Sequence, residues 1–106
     1  MSTQATASNC FEIAGVLCKP PRISRSPAGI AHFHGVIEHQ SEQLEAGLKR
    51  RSYVRIQVVY SADDVSQLSA QLTMGCQVLA KGFLHRHEDS NGLSRLVLHA
   101  QYLTKI

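Results

Sequence analysis

The sequence predicts an all-β fold, a five-stranded Greek-key barrel with a short helix or turn between strands three and four. Three observations predict it. Five apolar runs alternate apolar and polar side chains one for one, the period of a strand with one buried face. Glycine and proline separate the runs and leave a single stretch, residues 61–75, with helical spacing. Two of the runs, residues 10–18 and 76–87, carry a mid-length glycine, Gly15 and Gly82, read as the bend or bulge of a barrel strand.

The elements follow in chain order. Residues 10–18, CFEIAGVLC, set Phe11 and Ile13 against Glu12 and carry Gly15 at the bend. The next stretch, KPPRISRSPAG, holds three prolines and is expected to contain no regular structure. Residues 31–40, AHFHGVIEHQ, place Phe33, Gly35 and Ile37 on one face and His34, Val36 and Glu38 on the other. SEQLEAGLKRRS passes from an acidic to a basic half around Gly47 and is expected to be an extended connection. YVRIQVVY is the third strand. SADDVSQLSAQLTMG offers Ser61 as a cap, Asp63 and Asp64 in a first turn, and Val65, Leu68 and Leu72 at helical intervals before Gly75. Residues 76–87, CQVLAKGFLHRH, bend at Gly82; residues 93–103, LSRLVLHAQYL, complete the set after EDSNG, a hairpin turn marked by Asn91-Gly92. This order matches the OB-fold, whose second and third strands and adjoining loops bind single strands. An SH3-like barrel is the competing topology.

Composition bounds the function. With 106 residues, 43% hydrophobic and 18% charged, the chain has the make-up of a folded domain rather than a disordered segment. No run approaches the roughly 18 apolar residues of a membrane helix. MSTQATAS lacks the basic start and apolar core of a signal peptide, so a cytoplasmic location is expected, with residues 1–8 a disordered tail and 9–106 one domain. The three cysteines have no CxxC spacing and read as free thiols. A net charge of +3 favours anionic partners only mildly. His32 with His34, and His85 with His87, share strand faces, yet no thiolate or carboxylate completes a recognised metal spacing. Asp63 and Asp64 are adjacent and so do not face one another as a catalytic pair would. Phosphate-loop and dinucleotide glycine patterns are absent. We therefore expect no cofactor and no metal, and recognise no catalytic motif.

The richest stretch is LKRRSYVRIQVV, residues 48–59. With Val54, Ile56 and Val58 pointing into the barrel, Tyr53, Arg55 and Gln57 turn outward, next to Arg50 and Arg51 of the preceding loop. Cations neutralise phosphates, and an aromatic ring stacks on any base for about 1–3 kcal/mol. A sequence-tolerant single-strand site centred on Tyr53 is one reading, and a solvated strand is the other. A second cationic patch combines Lys81, Arg86 and Arg95, with Glu88 and Asp89 at the turn between them; the first loop adds Arg25, with Lys19 and Arg22 as further cations.

Three blocks together, IAGVLCKPP, SPAGIAHFHGVIEHQSEQLEAG and KGFLHRHEDSNGLSRLVLHA, resemble the primosomal replication protein N (PriB) family from about Cys10 to Tyr102. The resemblance implies a homodimeric OB-fold protein, related to single-stranded-DNA-binding proteins. It further implies binding of single-stranded DNA, association with the PriA helicase and recruitment of DnaT in replication restart. Tyr53 stands at the family's stacking aromatic, commonly Trp; Arg50 and Arg95 match basic positions, and Leu48 stands where the family carries Phe. Glu88 and Ser90 replace hairpin lysines, and Ser24 and Gln40 replace further basic residues. The departures imply DNA affinity that is weak for the family, or an adaptor that chiefly stimulates the helicase through protein contacts.

Overall fold

The computed structural model describes residues 8–106 of the chain. Its elements are β1 (Phe11–Leu17), β2 (Arg22–Arg25), β3 (Ala31–Glu45), β4 (Leu48–Ala62), α1 (Ser66–Gln71), β5 (Gln77–Glu88) and β6 (Ser94–Lys105). In the order β1-β5-β6-β4-β3 the strands form a wall that closes when β1 also pairs with β3, through Val16↔Glu38 and Leu17↔Ile37. Every pairing is antiparallel except β4 with β6, which run parallel from Gln57↔Val97 to Tyr60↔Ala100. This is the expected barrel.

Alternation fills the interior as the sequence predicts. Phe33, Ile37, Val58, Val78 and Leu98 are all essentially inaccessible to water, joined by Leu17 from β1 and by Val65 and Leu72 at the ends of α1. Each such side chain stabilises the fold by roughly 1.5–3 kcal/mol through burial. No buried side-chain polar atom lacks a hydrogen bond among the described residues. Two glycines make closure possible. A Cβ on Gly15 would strike the carbonyl oxygen of Glu38 where β1 swings onto β3, and one on Gly82 would strike that of His99. Opposite Gly82 the β5–β6 ladder jumps from Lys81↔Tyr102 to Gly82↔Ala100, leaving Gln101 as the extra residue of a bulge.

Four expectations need correction. The extended connection at residues 41–52 is a continuation of two strands. β3 and β4 pair without a shift from Ala31↔Ala62 to Glu45↔Leu48, and Ala46 and Gly47, at φ of 52° and 76°, make the tight turn. Arg50 and Arg51 therefore belong to β4, not to a loop. The proline-rich stretch holds the four-residue strand β2, which pairs with β3 because Pro20 and Pro21 precede it and Pro27 follows it. The helix is only six residues long, and Ser61 lies in β4 instead of capping it. Asp63 and Asp64 precede the helix; Asp64 Oδ1 accepts the Ser66 backbone N–H at 2.9 Å, which holds its carboxyl below the usual range. The hairpin at Asn91-Gly92 forms as expected. Asp89 Oδ1 accepts the backbone N–H groups of Asn91 and Leu93 at 2.9 and 3.0 Å, and Gly92 has φ 80°. Of the expected tail, residues 1–7 lie outside the described part. No helix among the described residues is long and apolar enough to cross a membrane.

Candidate nucleic-acid interface

Period-two geometry places Arg55, Gln57, Val59 and Ser61 on the outer face of β4. A trough follows this row. At one end it is lined by Arg55, Gln57, Lys19, Val36, Arg95 and Leu96. Its middle, about 390 Å³, adds Pro20 and Arg22 from the segment before β3, and His34, His87 and Val97. Val59 continues it past Ser61 to Phe83, His99 and Gln101. The β4–β6 seam is its floor; the loop between β1 and β3 and the β5–β6 hairpin are its walls.

Tyr53 stands just beyond the Arg55 end on the same outer face, 55% exposed. Its ring is outside the barrel, as expected. The phenol donates a 2.6 Å hydrogen bond to Glu38 Oε2, across the diagonal of the β3–β4 ladder. That bond, with the carboxylate charge nearby, pushes the phenol's pKa up, so it remains a neutral donor. Glu38 is also the direct cross-strand partner of Arg55, yet the only ion pairs among the described residues are Arg50–Glu45 and Arg86–Glu88. Lys19, Arg22, Arg51, Arg55 and Arg95 thus keep their charge for an anion.

The remaining expected residues divide. Arg51 shares the outer face with Tyr53 and Arg55. Arg50 and Leu48, of the opposite parity, face the other side of the hairpin arm, and Arg50 Nε sits 3.4 Å from Glu45 Oε1. Arg95 joins the trough. Arg86 lies across from Leu96, with Nη2 3.7 Å from Glu88 Oε1. Lys81 stands on β5 with its ammonium 5.5 Å from the centre of the Tyr102 ring, away from the trough. Arg25 donates to the Gly29 carbonyl at 3.1 Å and does not line the trough. Sequence reading named Lys19 and Arg22 only as further cations and Gln57 only as outward-facing, and passed over His34, His87, His99 and Phe83 as site residues. Only the topology that brings β6 beside β4 gathers them.

The chain's likeness to known proteins fits this architecture. Residues 9–102 match a family described as another single-strand binding protein family. The replication restart protein PriB of Photorhabdus laumondii is 39% identical over 99 residues, covering 93% of this chain and 94% of that protein. The chain belongs to the PriB family of single-strand binding proteins. PriB of Yersinia pseudotuberculosis is 38% identical over 96 residues, with 91% of each chain covered. Among solved structures, priB of Ralstonia solanacearum superposes with a TM-score of 0.74 at 20% identity, over 93% of this chain and 98% of that one. The wild-type single-stranded DNA binding protein of Thermus aquaticus gives 0.77 at 18% identity over 93% of this chain, which spans only 50% of that longer one. A Plasmodium falciparum SSB in complex with ssDNA gives 0.74 at 15% identity, over 94% and 96% of the two chains. These structural likenesses confirm the OB-fold.

His34 and His99 are held below the ordinary histidine pKa. Burial is the main cause in both. For His34 the charges of Arg22 and His32 add to it, and for His99 those of His87 and His85. Both imidazoles therefore present neutral donors and acceptors to the trough near neutral pH. His34 Nε2 shares a 2.8 Å hydrogen bond with Ser24 Oγ, and His32 Nδ1 shares one of 2.7 Å with Ser61 Oγ. No group of three His, Cys, Asp or Glu side chains among the described residues is arranged to hold a metal ion.

Proposed function

We propose that the chain is a non-enzymatic, cytoplasmic component of replication restart that holds single-stranded DNA along the β4 trough. It does so as a homodimer, associates with the PriA helicase and helps recruit DnaT. The observation that carries this reading is the outward Tyr53 at the head of a trough flanked by Lys19, Arg22, Arg55 and Arg95, none of them ion-paired among the described residues. Membership of the PriB family, whose relatives are named for replication restart, supports the same role. Phosphates lie along the cations and release counterions, while bases stack on the phenol ring. Glu38 on the same face and Glu88 and Asp89 at the hairpin tip oppose phosphate, so the affinity is weak for the family. The same carboxylates favour a second reading, an adaptor that acts on the helicase mainly through protein contacts.

Fluorescence anisotropy with a labelled oligonucleotide at two salt concentrations tests the first reading. Tyr53→Ala is expected to weaken binding by about 1–3 kcal/mol, roughly five- to 150-fold. Tight wild-type binding at physiological salt refutes weak affinity, and an inert Tyr53→Ala refutes stacking there. Stimulation of helicase unwinding that survives in Tyr53→Ala after DNA binding is lost decides for the adaptor.

A further inference from the structure

The far wall of the trough is aromatic in a way that phosphate binding does not require. On the outer face of the β5–β6 hairpin, the rings of Phe83 and His99 stack with centroids 5.1 Å apart and planes 3° from parallel. The His87 ring lies edge to edge with that of His99, centroids 5.2 Å apart and planes 19° from parallel, so His99 is the middle ring of a row. His85 meets both of the other histidines edge-on, at 83° and 78°. A 2.9 Å hydrogen bond between His87 Nε2 and His99 Nε2 fixes the spacing, one nitrogen donating and the other accepting. The row is not core. Phe83 is 37% exposed, His85 and His87 are exposed, and none belongs to the buried cluster.

Its position is the second observation. His87 lines the middle of the trough, and His99 and Phe83 line its far end beside Val59 and Ser61. Tyr53 to Ser61 spans about 26 Å of extended strand, room for several nucleotides between Tyr53 and the row. Arg95 is the cross-strand partner of His87, which puts a cation beside the ring to take the phosphate next to a stacked base. Imidazole and phenyl faces both stack on unpaired bases.

We propose that the row Phe83–His99–His87 is a second base-stacking station for single-stranded nucleic acid in the trough, with a base lying on the exposed face of the His87 ring and its phosphate on Arg95. This rests on the single-strand reading above. Oligothymidylates of increasing length, with 2-aminopurine placed near either end, test it by anisotropy and by quenching. For the wild-type protein, affinity rises once the oligonucleotide is long enough to reach from Tyr53 to the row, and the probe there is quenched. In His87→Leu/His99→Leu that length-dependent gain shrinks about tenfold and the quenching disappears, while short oligonucleotides bind as before. His87→Phe, unlike His87→Leu, keeps both, because the ring and not the imidazole nitrogen is what matters. The exposed-site variant His87→Ala gives the same result in milder form and guards against a folding defect at partly buried His99. An unchanged length dependence in both leucine and alanine variants overturns the station while leaving the Tyr53 site standing. Absence of binding by the wild type at any length overturns both.

Discussion

The two long hairpins, β3–β4 and β5–β6, are written in the same alternating code and use it differently. β3 and β4 pair over 15 residues each without a slip, so within each strand the parity of a residue number fixes its face, odd inward on β3 and even inward on β4. β5–β6 breaks its register at Gly82, and the extra Gln101 reverses parity along β6. Leu98 and Ala100 point inward before the bulge and Leu103 after it. The unbroken ladder yields a straight arm whose outer face carries Tyr53, Arg51 and Arg55. The bulged one curls, closes the barrel and brings a row of rings against the arm's outer face. Alternation alone therefore reads a face reliably only where the ladder is uninterrupted.

The largest effect should come from removing the freedom that permits the bulge. Gly82→Val would drive a side chain into the His99 carbonyl, which must displace β6 backbone. We expect a loss of at least about 3 kcal/mol, seen as collapse of the thermal melt. Gly47→Ala, in the tight turn of the arm with open space around it, should cost about 1 kcal/mol through its positive φ alone. That gap in melting temperature measures how differently the hairpins depend on glycine.

Next comes the two-sidedness of the arm. Arg55→Ala should lower the slope of log affinity against log salt by about 0.7, the single-strand value for one phosphate contact. Arg50→Ala, on the other face and paired with Glu45, should leave it nearly unchanged. Equal slopes for the two variants would show that parity does not sort the arm's cations. Glu38→Gln keeps an acceptor for the Tyr53 phenol but removes the charge beside Arg55. Anisotropy should report tighter binding by about threefold, near 0.6 kcal/mol, as for an exposed charge pair.

The smallest effect is on pH. His34 and His99 have folded pKa values below the unfolded value of about 6.5, so the unfolded chain takes up protons first as pH falls. Their contribution to stability is complete above about pH 6.5 and is lost as pH drops through their folded values. Melting temperature should decline from pH 7.5 to 5, and less steeply in His99→Phe. A decline of equal steepness would assign the effect elsewhere.

The barrel and the outward Tyr53 were legible because Phe33, Ile37, Val58 and their neighbours alternate without interruption. β2 was not, since three prolines outweigh four residues in any local reading; yet those prolines lie outside the paired segment. The arm was missed because its outer half has no apolar face to betray a strand, and Ala46 is an unusual residue for a turn at positive φ. Charge picked out Arg55 and Arg95, which line the trough, but could not distinguish them from Arg50, Arg86, Lys81 and Arg25. Face and partner decide that, and both are set by neighbours distant in sequence. The histidines, weighed in the sequence only as metal ligands, carried no sign of a nucleic-acid surface until β6 was laid between β4 and β5.

That placement governs when the protein becomes competent. The trough's floor is the parallel seam between β4 and β6, and β6 is the last strand of the barrel to be synthesised. A nascent chain can zip β3 to β4 early, but one margin of β4 stays open until residue 105 is free. Ligand groove and sealed edge then arrive in a single late event, and any pause in synthesis before it leaves a sticky ribbon in place of a receptor.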